Sequence, residues 1–347
     1  MKRIKEWDFF KGILVIMIIL GHATASLGTY ESPPILEYCS SLTVSFIMPM
    51  FLVITGYFIY SFKTDTLTPG YILKKAKRLL IPAVIWGGIG GIFIIILESL
   101  PLWPINTMTI IIFLRNIKYL WYLYGTFVSA LIIWSVEKIT NQKYKNIILV
   151  GFAIVSHLIP TDLWNISFSF PFILTGYYLR KNHFSLEWFN THKCTCFGLL
   201  GIYLFVLYFY SYDYSVYVAG TNFITNAPFV KQLYIVIFRF AIGISGTICI
   251  SFLAHLFYTY FDNNILVKTI ELLGENSLEM YCTQFIIIER IFTWLMNLLT
   301  QSTGISFVSH PYLCYFLWRH LFGFLLIAIT YILVSLLKKT PLGHYIY

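Results

Sequence analysis

A chain of 347 residues that is 58% hydrophobic, 11% charged and has a mean hydropathy of +0.75 is not a water-soluble globular protein, in which about 25% of residues are charged. Its apolar residues fall in long runs from end to end, so residues 1–347 are expected to form one polytopic membrane domain with no soluble catalytic domain. The formal net charge of +9 does not argue for nucleic acid, because membrane proteins gather Lys and Arg on their cytoplasmic side for orientation alone.

A bilayer core takes about 20 apolar residues per helix, and ten runs approach that length. The first, Phe9 to Leu27, follows Met1-Lys2-Arg3-Ile4-Lys5 and has no small-residue cleavage site, which predicts a retained first helix rather than a signal peptide. It contains Asp8, Lys11 and His22 on or beside it. Lys11 and His22 lie eleven positions apart, so they share one helix face about 16 Å apart along the axis. His22 reads either as a structural histidine or as a general base, the side chain best suited to take a hydroxyl proton near neutral pH.

The second run is Leu42 to Phe62 and the third Leu79 to Leu97. Between them lies Lys74-Lys75-Ala76-Lys77-Arg78, which reads as a positive-inside anchor or as a site for a polyphosphate such as a coenzyme or nucleotide. The fourth run is Tyr119 to Val136. The fifth and sixth, Ile147 to Ile159 and Ser167 to Leu179, are short enough to be tilted or re-entrant. Thr195 to Tyr210 and Gln232 to Tyr258 follow, then Ser277 to Leu299 and Tyr312 to Leu337.

With the N-terminus inside, 18 of the 24 Lys and Arg fall on inner segments, so both termini are expected to be cytoplasmic. The same threading puts Arg239, Glu289, Arg290, Arg319 and His320 roughly 10–15 Å below the outer surface, at the depth of His22. Charges buried at one depth face each other or a wet cavity, so these five read as an ion-pair network or an acceptor cavity. The six cysteines form no CxxC pair and no zinc-type spacing with His, and no metal is expected.

Trp7-Asp8-Phe9-Phe10-Lys11-Gly12 through Leu20-Gly21-His22 resembles the opening signature of the acyltransferase family 3 membrane proteins: a basic residue, ten intervening positions, then His. Further segments agree in order. Ile47 to Tyr57, with Pro49 and Thr55-Gly56-Tyr57, is similar to the second-helix motif of the branch related to fucose 4-O-acetylase. Lys75 to Arg78 with Pro82 resembles the basic motif after that helix. Leu120-Trp121-Tyr122-Leu123 and Pro171 to Tyr177 resemble the middle motifs, and Leu273-Gly274-Glu275-Asn276-Ser277 to Tyr281 the late one.

The resemblance implies an O-acetyltransferase of the bacterial inner membrane that moves an acetyl group from cytoplasmic acetyl-CoA to a surface polysaccharide or its lipid-linked precursor. It implies catalytic roles for His22, Asp8 and Lys11 and coenzyme-phosphate contacts for Lys75, Arg78 and Lys11. Acceptor contacts fall to Arg239, Glu289, Arg319, His320, Trp121 and Tyr122. No fused extracellular hydrolase-like domain is expected.

The sequence departs from the family pattern at three places: Lys11 stands for the commoner Arg, Ile47 for a frequent His, and Gln284 for the His that usually ends the late motif. A serine-like transporter, as in the membrane parts of membrane-bound serine racemases, and a non-catalytic export accessory are the alternative readings.

Overall fold

The computed structural model describes residues 4–28, 32–60, 69–97, 107–139, 141–158, 165–210, 228–341 and 343–346. Lys2, Arg3 and Lys63 lie outside them. Among the described residues every regular element is helical. The helices are α1 (Lys5–Leu27), α2 (Pro34–Ile59), α3 (Pro69–Leu97), α4 (Thr107–Tyr119), α5 (Trp121–Glu137), α6 (Gln142–Val155), α7 (Ile166–Lys181), α8 (Trp188–Thr191), α9 (Lys193–Leu207), α10 (Phe229–Phe261) and α11 (Ile265–Glu275). A single span, Ser277–Thr303, contains α12 (Ser277–Ile286) and α13 (Thr293–Thr303) around a π turn at Ile287–Phe292. Another, Pro311–Lys338, contains α14 (Pro311–Leu313) and α15 (Arg319–Lys338) around a π turn at Cys314–Trp318; α16 (Gly343–Ile346) follows.

The described parts of the ten apolar runs are almost wholly helical. Among the described residues six helices are long and apolar enough to cross a bilayer, or seven if Phe113–Tyr119 and Trp121–Glu137 make one broken span. The other three runs lie in α6, α7 and α9, of 14, 16 and 15 residues. At 1.5 Å per residue these reach about 24 Å at most, short of the roughly 30 Å hydrocarbon core. The chain is a multi-pass membrane protein. Four of the described helices, α4, α8, α11 and α16, have no counterpart among the runs. α11 starts at Asn264, whose side chain accepts the Leu266 amide at 2.8 Å as an N-cap.

The chain divides into two compact units, Met1–Glu37 with Leu80–Leu120 and Phe261–Tyr347, and Tyr38–Leu79 with Trp121–Tyr260. In the first unit α1 packs against α11, α12, α13, α15 and both π turns. Its crossing with α11 is antiparallel and brings backbone against backbone: a Cβ on Gly12 would strike the Ile270 carbonyl oxygen, and one on Gly274 the Asp8 carbonyl oxygen. On α15, a Cβ on Gly323 would strike the Leu20 side chain.

The second unit contains an equivalent device between α2 and α7. A Cβ on Gly56 would strike the Ile173 carbonyl oxygen and one on Gly176 the Val53 carbonyl oxygen, so the two Thr-Gly-Tyr triplets of the sequence face each other across an antiparallel crossing. On α10, Gly243 lies against Phe172 and Pro49, and Gly246 against Phe46 and Tyr203. Lipid tails are as apolar as Leu, so close backbone approach at small residues, rather than hydrophobic burial, is what holds such helices together.

Gly12→Ala, Gly56→Ala, Gly176→Ala and Gly274→Ala should each lower the thermal midpoint of the detergent-purified protein, at roughly 1–3 kcal/mol for an overpacked contact. Gly21→Ala and Gly198→Ala, whose added methyl meets nothing within 4 Å, should hold or raise it by up to about 1 kcal/mol. Equal melting of all six would show that these crossings do not set the packing.

Candidate functional site

The first unit gathers ionisable side chains around α1. Near its start, Asp8 is buried and accepts a 2.7 Å ion pair from Lys11, one turn away on the same helix. Fourteen residues on, about 21 Å along the axis, His22 meets a different carboxylate. Its Nδ1 is paired with Glu289, which sits in the first π turn. The Tyr119 hydroxyl at the end of α4 donates to the same carboxylate at 3.0 Å. His22 and Glu289 side chains keep 26% and 18% exposure.

The shell around the pair is ordered by further polar contacts. Arg290, next in the π turn, donates to Asn116 Oδ1 at 2.6 Å, and its guanidinium lies 4.7 Å from the Phe285 ring centroid and 5.3 Å from that of Tyr119. Tyr119 and Phe285 stack at 4.8 Å. Thr293 closes the turn by donating to Ser26 at 2.8 Å, and Ser26 donates to the His22 carbonyl at 3.0 Å. A π turn inserts one residue into the helical ladder, and such turns concentrate at functional sites. Both π turns in the described chain pack on α1.

A carboxylate on Nδ1 holds the imidazole in one orientation with its proton on that nitrogen and leaves Nε2 as the basic atom. Arg319 follows the second π turn. It is buried, with its guanidinium 4.6 Å from the Tyr315 ring centroid, and stands one turn before Gly323, which rests on Leu20 of α1. His320 is turned to its own helix, its Nδ1 at 3.1 Å from the Phe316 carbonyl. Gln284, in the place of the family's usual His, is buried with no hydrogen-bond partner on Oε1.

The second unit holds the remaining sequence candidates. Lys75 lies over the Tyr71 ring at 5.7 Å, with Lys74, Lys77 and Arg78 exposed around it on the first turns of α3. The Tyr122 hydroxyl shares a 2.5 Å hydrogen bond with Thr55. Trp121 and Arg239 meet one ring: Phe168 is 6.2 Å from Trp121 edge-on and 4.9 Å from the Arg239 guanidinium. Ile47 is buried in α2. Among the described residues no group of three or more His, Cys, Asp and Glu converges as a metal site would require.

Residues 4–338 match the family profile described as an acyltransferase domain, of acyltransferase family 3. The chain belongs to that family. No curated protein and no solved structure matches the chain. As a family 3 acyltransferase it is a membrane enzyme of acyl transfer, and the expected elements can be placed on it. The structure brings His22 to Glu289, a residue read from sequence as an acceptor contact. It does not bring Asp8 to His22, because Asp8 lies three to four turns away and is taken up by Lys11. Tyr119 and Asn116 went unread in the sequence, since α4 carries too few apolar residues to register as a run.

The His22–Glu289 contact is open to a double-mutant cycle on thermal stability in detergent. His22→Ala and Glu289→Ala should couple by about 0.5–3 kcal/mol. Additive effects would mean that the two side chains do not interact.

Proposed function

We propose that this acyltransferase is an O-acetyltransferase, moving an acetyl group from cytoplasmic acetyl-CoA to a hydroxyl of a cell-surface polysaccharide or its lipid-linked precursor. The observation that supports it best is the carboxylate on His22 Nδ1, in a family that transfers acyl groups. Acyl transfer to a hydroxyl needs a base for one proton and little else from the protein's own side chains.

In this reading His22 Nε2 takes the acceptor's hydroxyl proton while that oxygen bonds to the thioester carbonyl carbon. The tetrahedral adduct carries a negative oxygen, for which buried Arg319, on the helix packed against α1, is the assigned cation. Collapse breaks the carbon–sulfur bond. The coenzyme leaves as a thiolate and receives the proton from the imidazolium. Glu289 stabilises that imidazolium, and Tyr119 fixes Glu289.

The coenzyme phosphates are assigned to Lys75 and Arg78. Their ammonium and exposed guanidinium groups suit a polyphosphate, and Tyr71 adds an aromatic face. The bilayer in this proposal is a bacterial inner membrane, with both termini on the cytoplasmic side by the distribution of Lys and Arg.

The test is transfer of radiolabelled acetyl from acetyl-CoA to polysaccharide in membranes with the native glycan present. His22→Ala should reduce transfer about 10²–10⁴-fold, the range a general base contributes. Glu289→Gln should reduce it about 10–100-fold, and Glu289→Asp should recover part of that loss. Undiminished labelling in His22→Ala would end this mechanism. Absence of label in a folded wild-type protein, together with uptake of a labelled amino acid, would favour a transporter.

A further inference from the structure

The second unit contains a charge that nothing in its described structure neutralises. Arg239 lies in the body of α10 and is only 4% exposed. Its Nη1 is buried without a hydrogen-bond partner. Among the described residues no Asp or Glu pairs with it, and its guanidinium rests instead on the face of Phe168. A cation–π contact returns only part of the hydration an arginine loses on burial. Elsewhere the unit handles buried charge differently: Glu137, at the end of α5, is met by Lys145 at 3.1 Å, Lys181 at 3.2 Å and the Tyr177 hydroxyl.

The described surroundings of Arg239 offer neutral polar groups rather than acid. His157 and Tyr210 are within electrostatic reach of the guanidinium. Gln232, seven positions earlier on α10, is buried on the same helix face. Trp121 meets the same Phe168 ring edge-on. A buried arginine resting on an aromatic cluster, with a histidine near it and, among the described residues, no paired carboxylate, is the chemistry that receives an oxyanion on an amphipathic, ring-shaped molecule.

We propose that the Tyr38–Leu79 and Trp121–Tyr260 unit holds a binding site for an acidic sugar, in which Arg239 takes the carboxylate or phosphate and the aromatic side chains take the ring. That this sugar belongs to the acyl acceptor rests on the function proposed above; the site itself does not. Its occupant completes the pair that Arg239 lacks.

The experiment measures thermal midpoints of the full chain in detergent, without any acyl donor, for wild type, Arg239→Met and Arg239→Lys. The probes are glucuronate, glucose 1-phosphate and glucose at equal millimolar concentration and ionic strength. The wild type should gain a few degrees with glucuronate or glucose 1-phosphate and nothing with glucose, and the stronger of the two identifies the anion. Arg239→Met should lose the gain and Arg239→Lys should keep a smaller one, because an ammonium holds the charge without the planar fork.

Without any probe, Arg239→Met should melt at or above the wild-type temperature, since it removes an uncompensated charge. A lower midpoint would show that Arg239 is already paired in the apo protein and would overturn the proposal, as would equal shifts from glucose or an undiminished shift in Arg239→Met. His22→Ala should leave the probe-induced gain intact. Failure of the anion site and failure of the catalytic reading are therefore seen in different measurements.

Discussion

Backbone contact at paired glycines is the constraint on which each unit depends. Within α1 and α11 the pair is Gly12 and Gly274; within α2 and α7 it is Gly56 and Gly176. In both cases each glycine faces a carbonyl of the opposite helix, which no side chain of any other residue would allow. Because these contacts are between main chains, they fix axial position as well as separation. α1 is thereby held at one height along α11, and with it the height at which His22 is presented. A side-chain interface of the same area could slide by rotamer changes. This one cannot, so the residues at its far end inherit its precision.

The charges are arranged by cost. An ionised group inside a bilayer is retained where it is paired or serves a ligand. Asp8 with Lys11, Glu137 with two lysines, and Lys338 with Glu279 at 2.7 Å are compact pairs that settle their own account. His22 with Glu289 differs, because one partner is an imidazole that can gain a proton. In the mechanism proposed above, the carboxylate gains interaction energy as that proton arrives, which is the form of binding that accelerates a step. Arg239 and Arg319 form the third kind, buried cations resting on aromatic rings.

Much of the fold was legible. The described parts of the ten apolar runs are almost wholly helical, since a bilayer leaves a long apolar segment no other way to satisfy its backbone. The number that cross was not legible, because α6, α7 and α9 are short. α11 was hidden for the opposite reason: its helix is amphipathic, with Glu271, Glu275 and Lys268 among its apolar positions, and it reads as a charged loop. Within the site, placing His22 and Glu289 at one depth anticipated their meeting. Asp8 was read as part of the catalytic set, and helical rise places it about 21 Å from His22. Tyr119 carried no signal, because its helix is short and an isolated Tyr at a helix end is ordinary.

The π turn that carries Glu289 has one effect on how this protein tolerates change. One surplus residue in a helix advances every following side chain by about 100° of azimuth, since an α-helix turns once per 3.6 residues. The faces shown by Ser277–Ile286 and by Thr293–Thr303 are therefore out of phase, and a single helical wheel drawn through Ser277–Thr303 assigns one half to the wrong neighbours. Loss of one residue between Ile287 and Phe292 would bring the two halves back into phase and leave both hydropathy and length almost unaltered. It would also swing Thr293 away from Ser26. In this segment a deletion invisible to composition is more disruptive than most substitutions.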